Sequence, residues 1–145
     1  MTTHPLDPVF RYEFAVPAEA VDGNGHVNNV NFVQWMQDAA VRHFTAVGGA
    51  AVTQAMGATW VVRTHTVEYF LPAFAGDVIE VHTWVANVRR VRSLRRYRFV
   101  RKSDGRKLVE GATDWVLVDA AQGHPLAIPA SISALLPVVE NGNER

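Results

Sequence analysis

The segment Val21–Phe44 reads VDGNGHVNNVNFVQWMQDAAVRHF, and its two halves obey different rules. The front half is too polar and too rich in glycine and asparagine for a strand or a helix interior. Gly23 and Gly25 open backbone angles that other residues avoid, so Asp22–Asn28 is expected to be a tight loop. From about Asn29 the pattern becomes helical. Phe32, Trp35, Met36, Ala39, Ala40, Phe44 and Val47 recur on one face, with Gln34, Asp38 and Arg42 opposite. Asn28 or Asn29 suits the N-cap, and Gly48-Gly49 is a natural stop. A carboxylate and an imidazole therefore precede a helix N-terminus, whose free N–H groups can hold a developing negative charge.

Working outward, Phe10–Ala15 reads as a strand that delivers the chain to this loop, and Ala50–Met56 as a further helical turn ending at Gly57. Four strand-like segments follow, roughly Thr59–Phe70, Val78–Val88, Ser93–Lys102 and Lys107–Asp119. Leu71-Pro72, Gly76-Asp77, Arg89-Arg90 and Asp104-Gly105 supply the turns between them. Connections this short favour antiparallel neighbours. One long helix followed by an antiparallel meander predicts an α+β fold, a sheet of about five strands wrapped around the helix.

With 145 residues the chain is long enough for one cored domain, and its 48% hydrophobic content excludes a disordered protein. Residues 1–9 and 138–145 are expected to be loose tails around that single domain. Residues 1–9 hold two prolines and no apolar run, and no stretch reaches the ~20 apolar residues of a membrane span, so a cytoplasmic protein without a membrane anchor is expected. There are no cysteines, which removes disulfides, thiolate metal sites and a cysteine nucleophile together. The histidines at 4, 26, 43, 65, 82 and 124 form no close pair at ligand spacing, so no metal and no cofactor is expected.

The run Asp22-Gly23-Asn24-Gly25-His26-Val27-Asn28-Asn29 resembles the D-x-x-G-H-V-N-N signature of hotdog-fold thioesterases of the 4-hydroxybenzoyl-CoA thioesterase type. It is also similar to the D-x-N-x-H-V-N-N segment of plant acyl-carrier-protein thioesterases. Tyr69-Phe70-Leu71-Pro72-Ala73 with Gly76-Asp77, and Ile128-Pro129, look like two further pieces of the family pattern. The resemblance implies the hotdog fold and hydrolysis of an acyl-CoA or related thioester. It makes Asp22 the carboxylate that attacks the carbonyl or activates water. It also implies backbone N–H groups around Asn28 and Asn29 as oxyanion donors. The chemistry suits a carboxylate acting alone, since a thiol pKa near ~8.5 makes the thiolate a good leaving group. Without the motif, Asp22 would pass as a turn former.

Other positions stay open. His26 either orients Asp22, the thioester or a water, or merely bonds a backbone carbonyl. Asn24 matches the plant pattern, whose further aspartate is Ala20 here. Family members carry Glu or Asp where this chain has Gln37, and Arg where it has Ala40, so those roles do not carry over. Asp38 is a second carboxylate, but its spacing from Arg42 is that of an ordinary helix ion pair. Hotdog hydratases have a signature like D-x-N-P-x-H. Gly25 in place of the proline and a spacing of four between Asp22 and His26 argue against hydration. A non-catalytic acyl-CoA sensor is a third reading, against which an intact aspartate argues.

Ten of the fourteen basic residues fall between Arg89 and Lys107, although the net charge is zero. Arg89, Arg90, Arg92 and Arg95 are candidate ligands for coenzyme A phosphates, for which guanidinium forks are suited. The alternative is a charged strand that discourages edge pairing. Nucleic acid is disfavoured by sparse aromatic interleaving. Alternation places Arg96 and Arg98 on one sheet face, Arg95 and Arg101 on the other. The family pairs subunits, so a homodimer or a dimer of dimers with acyl sites at the subunit boundary is expected.

Overall fold

The computed structural model describes residues 7–139. β1 (Phe10–Ala15) leads through a 3-10 turn at Ala18–Ala20 and the glycine loop into α1 (Asn29–Ala46). α2 (Gly49–Ala55), β2 (Ala58–Tyr69), β3 (Val78–Val88), β4 (Arg92–Arg101), β5 (Lys107–Asp119) and the short α3 (Ala130–Ser133) follow. The strands form one antiparallel sheet in the order β1-β3-β4-β5-β2, with α1 packed on its inner face.

This order corrects the simple meander expected from the sequence. β3, β4 and β5 do pair in succession, but β2 pairs with β5 across the sheet and β1 takes the far edge beside β3. The segment from Phe70 to Asp77 is thus a crossover and not a hairpin. It must pass three strand spacings, about 14 Å, well within the reach of its eight residues. Buried Ala73 and packed Leu71 tie the crossover to the core.

Alternation along the strands sorts the chain into faces. Ile79, Val81, Thr83 and Val85 of β3 and Ser93, Arg95, Tyr97 and Phe99 of β4 are buried on the inner face. Against them α1 sets Phe32, Met36 and Ala39, and burial of each large side chain contributes about 1.5–3 kcal/mol. Gly111 of β5 lets the helix close in, since a Cβ there would stand 2.7 Å from Met36 Sδ. Beyond this centre, a second cluster of Ala58, Leu117 and Ile132 joins β2, β5 and α3 beneath Phe44, Trp60 and Ile128.

Two expectations for α1 change. His43 joins the buried stripe, 3% exposed, because its imidazole stacks on Phe10 at 5.0 Å and bonds Arg95. The Asp38–Arg42 ion pair is replaced by other partners: Asp38 accepts from Gln34 Nε2 at 3.0 Å, and the Arg42 guanidinium lies 4.3 Å from the centre of the Tyr12 ring. A flat cation on an aromatic face keeps more contact than a solvent-exposed ion pair, which contributes little. Residues 1–6 and 140–145, where loose tails are expected, lie outside the described residues. Order extends to the ends of the described chain: Val9 is buried, and the Val139 N–H donates to Val85 O.

Candidate active site

The glycine loop is closed by its own backbone. Val21 and Val27 form an isolated antiparallel bridge, Asp22 N–H donates to His26 O at 2.8 Å, and Gly25 N–H donates to Asp22 O at 3.0 Å. Gly25 sits at φ 83°, the left-handed region, which closes the turn without a Cβ penalty. The loop is moored from outside where Val27 N–H donates to Ala73 O, on the β2–β3 crossover. Asp22 and the start of α1 are therefore held by main-chain bonds at both ends of a five-residue loop.

The Asp22 carboxylate is exposed, and its Oδ1 accepts the Asn24 N–H at 2.8 Å. Asn24 thus positions the carboxylate through its backbone, which any non-proline residue would supply. Asp22 and His26 are joined by backbone only; no hydrogen bond links their side chains. The His26 ring stands edge-on to Phe74, with centroids 5.3 Å apart. Phe74, on the crossover, is a neighbour that sequence reading did not single out. No periodicity marks it, because its place depends on the crossover folding back.

Asn28 is the N-cap, its Oδ1 accepting the Val30 N–H at 3.0 Å. Its own N–H donates to Ala20 O at 2.9 Å, so the expected pair of oxyanion donors loses the Asn28 N–H. Asn31 N–H donates to Asn28 O, leaving Asn29 as the first-turn residue whose N–H has no acceptor within the helix. Tyr69 Oη donates to Asn29 O at 3.0 Å and fixes that residue from the end of β2. Val30, 73% exposed, together with exposed Phe70 and Phe74, surrounds the loop with apolar surface. Gln37, at the position of the family's acid, bonds His65 Nε2 at 3.2 Å, and His65 Nδ1 in turn bonds Thr113 Oγ1 at 2.8 Å.

The basic residues separate in space. Arg95 is corrected outright as a phosphate ligand: it is 4% exposed on the inner sheet face, bonded to His43 and Thr83. Inward alternation in β4 places it there. Arg89 and Arg90 are exposed in the β3–β4 turn, and Arg92 pairs with Asp114 at 3.5 Å. Arg101 binds Asp77, Asp104 and Pro72 O, Lys102 binds Glu13, and Lys107 binds Glu110. Carboxylates both near and distant in sequence therefore neutralise part of the run. The β3–β4 turn also lies at the opposite end of the eleven-residue β3 from Val78, about 35 Å of strand away. The Asp22 loop is at the Val78 end, since Val16 N–H donates to Asp77 O and Val27 N–H to Ala73 O. Within one chain, Arg89 and Arg90 do not meet Asp22.

A five-stranded antiparallel sheet curled around one long helix, with a capped glycine loop at the helix start, defines the hotdog class, and solved structures share the arrangement. A 1,4-dihydroxy-2-naphthoyl-CoA thioesterase from Synechocystis matches with a TM-score of 0.80 at 18% identity, covering 88% of this chain and 95% of its own. A Staphylococcus aureus protein solved in complex with CoA matches with a TM-score of 0.81 at 18% identity, covering 93% and 83%. Residues 16–136 match the model of the thioesterase-like superfamily. The acyl-CoA thioester hydrolase YbgC of Escherichia coli is 30% identical over 129 residues, covering 87% of this chain and 94% of that protein. The chain belongs to the thioesterase-like superfamily and is a thioesterase. Among the described residues no helix is long and apolar enough to cross a membrane.

Proposed function

We propose that this chain hydrolyses acyl-coenzyme A thioesters with Asp22 as the catalytic carboxylate. The observation that carries the proposal is the Asp22 carboxylate, oriented by the Asn24 N–H, on a closed loop that runs directly into the N-terminus of α1. Asp22 either attacks the thioester carbonyl or takes the proton of an attacking water. The carbonyl π electrons move onto oxygen, and the Asn29 N–H with the positive end of α1 holds that charge. Collapse of the tetrahedral species breaks the C–S bond and releases coenzyme A thiolate. In the attack route a mixed anhydride with Asp22 forms, and water then hydrolyses it. His26, edge-on to Phe74, lines the approach.

The curated relative is named an acyl-CoA thioester hydrolase and one structural neighbour binds CoA, which supports coenzyme A as the carrier. The site stands open on one chain, with Asp22, Asn24 and His26 exposed beside Val30, Phe70 and Phe74. A second copy of the chain closes it in our reading, giving a homodimer or a dimer of dimers. Arg89 and Arg90, with Arg92 beside them, then reach the phosphates of a coenzyme A bound at Asp22 across the subunit boundary.

A panel of acyl-CoAs, read by release of free thiol, tests the activity. Thiol release that depends on Asp22 supports the proposal. Tight binding of every thioester without turnover refutes it, as does loss of enoyl absorbance without thiol.

A further inference from the structure

A second concavity lies at the other end of α1, bounded by Ala40, Val41 and Phe44 of the helix, by β3 and β4, and by α3 with Ile128. Its volume is about 90 Å³, and its lining is mostly apolar, with Ser93, Ser133 and one charged side chain among it. That charge is Arg95. Within one chain the buried core of Phe32, Met36 and Ala39 separates it from the Asp22 loop.

Arg95 is the anomaly of this cavity. A buried guanidinium ordinarily has a carboxylate beside it, because an uncompensated buried charge is among the costliest groups in a fold. Among the described residues none lies within ion-pair distance of Arg95. Its Nη1 contacts Thr83 Oγ1 at 3.1 Å and His43 Nδ1 at 2.9 Å, and both groups are neutral. Burial and the adjacent guanidinium hold the His43 imidazole down to about 3, so it stays uncharged and offers a lone pair. Five N–H groups in a fixed fork leave donors beyond that one nitrogen. Trp60, on the same cavity wall, has a buried Nε1–H without any acceptor.

We propose that this cavity binds a small carboxylate with an apolar body, its carboxylate seated on Arg95. The apolar body packs against Phe44, Trp60 and Ile128. At about 90 Å³, several times the ~10–15 Å³ that one water needs on the same measure, the space suits a short aliphatic acid. The carboxylate supplies the missing counter-charge, and charge-assisted bonds of this type are the strong ones. The inference concerns binding at the end of the helix opposite the same chain's Asp22 and needs no hydrolytic step.

The test titrates the full-length protein with butanoate and with its uncharged counterpart butanamide, following the four tryptophan indole N–H signals by NMR. Trp60 and Trp115 line the cavity, whereas Trp35 packs in the cluster nearer the Asp22 loop and reports binding there. We expect saturable shifts at Trp60 or Trp115 with butanoate, at least ~10-fold tighter than with butanamide, the range of a hydrogen bond to a charged group. Arg95→Met should remove the preference for the acid. Val88→Trp, which narrows the cavity without touching Arg95, should abolish binding and decides the matter if Arg95→Met fails to fold. Equal response to acid and amide, shifts confined to Trp35, or no response at all would overturn the proposal.

Discussion

The hydroxyl of Tyr69 donates to the main-chain carbonyl of Asn29 at 3.0 Å, joining the last residue of β2 to the first residue of α1 across forty positions of sequence. Through this bond the sheet edge holds the end of the helix on which the proposed oxyanion site rests. Tyr69→Phe removes the donor and keeps the ring. Stability should fall by about 0.5–1.5 kcal/mol, the net worth of one hydrogen bond, and turnover should fall severalfold as Asn29 loosens. Urea midpoints and kcat measured side by side check this, and unaltered turnover would detach Tyr69 from the site.

Asp22→Asn keeps the shape of the side chain and an oxygen that accepts the Asn24 N–H. It removes the charge that attacks or activates water. Turnover should drop by at least ~100-fold, the low end of what a positioned acid–base group contributes, while folding and acyl-CoA affinity barely move. Retention of most thioester hydrolysis would defeat the mechanism and direct attention to His26.

Arg89 and Arg90 are exposed at the far end of β3, so contact with a coenzyme A at Asp22 would require a second chain. If they grip coenzyme A phosphates, KM should rise with added salt, because exposed charge pairs are screened beyond about 8–10 Å. Arg89→Gln with Arg90→Gln should raise KM and leave kcat nearly unchanged, the mark of binding shared by ground and transition states. A salt-independent KM would return these arginines to a solvated turn.

β2 is a twelve-residue edge strand with Val61 43% exposed, the kind of edge that invites pairing with another chain. We expect sedimentation to show at least a dimer at micromolar concentration. Val61→Lys should shift the population toward monomer and lower activity with it. An active wild-type monomer under the same conditions would refute the shared site.

His43 sets a pH dependence of stability. Burial first, and then the charge of Arg95, holds its imidazole at about 3, against an ordinary value of 6.5. Between these values the unfolded chain takes up a proton that the native state refuses. Stability is therefore complete above pH 6.5 and declines as pH falls toward 3, by on the order of 5 kcal/mol in all. Burial lowers His65 and His82 in the same direction, so a smaller slope should persist in His43→Gln. Urea midpoints at a series of pH values read the difference, and superimposable profiles would remove His43 as the cause.

Much of the fold was legible in local chemistry. The helix from Asn29 followed from apolar spacing, and its cap from an asparagine whose side chain does accept a first-turn N–H. The strands showed as apolar runs bounded by Pro72, Gly76 and Gly105, with bounds that agree to within a residue or so. These features are local because short-range sterics and single hydrogen bonds decide them. The glycine loop was legible for the same reason, as Gly25 alone relieves the left-handed turn at φ 83°.

Tertiary structure decided what depends on distant partners. β2 beside β5 is a matter of which edges close around α1, which no local pattern encodes. The Asn28 N–H was spent on Ala20, and the Asn29 carbonyl on Tyr69, only because the crossover and the 3-10 turn return to the helix start. Basic residues that look alike in a run were divided by the pleat and by carboxylates from other segments, Arg101 to Asp77 and Lys102 to Glu13, with Arg95 turned inward to His43. A sequence states which charges a chain carries. Which of them are buried, paired or left to meet a ligand depends on the packing of elements far apart along it, because burial and Coulomb attraction act through space and not along the chain.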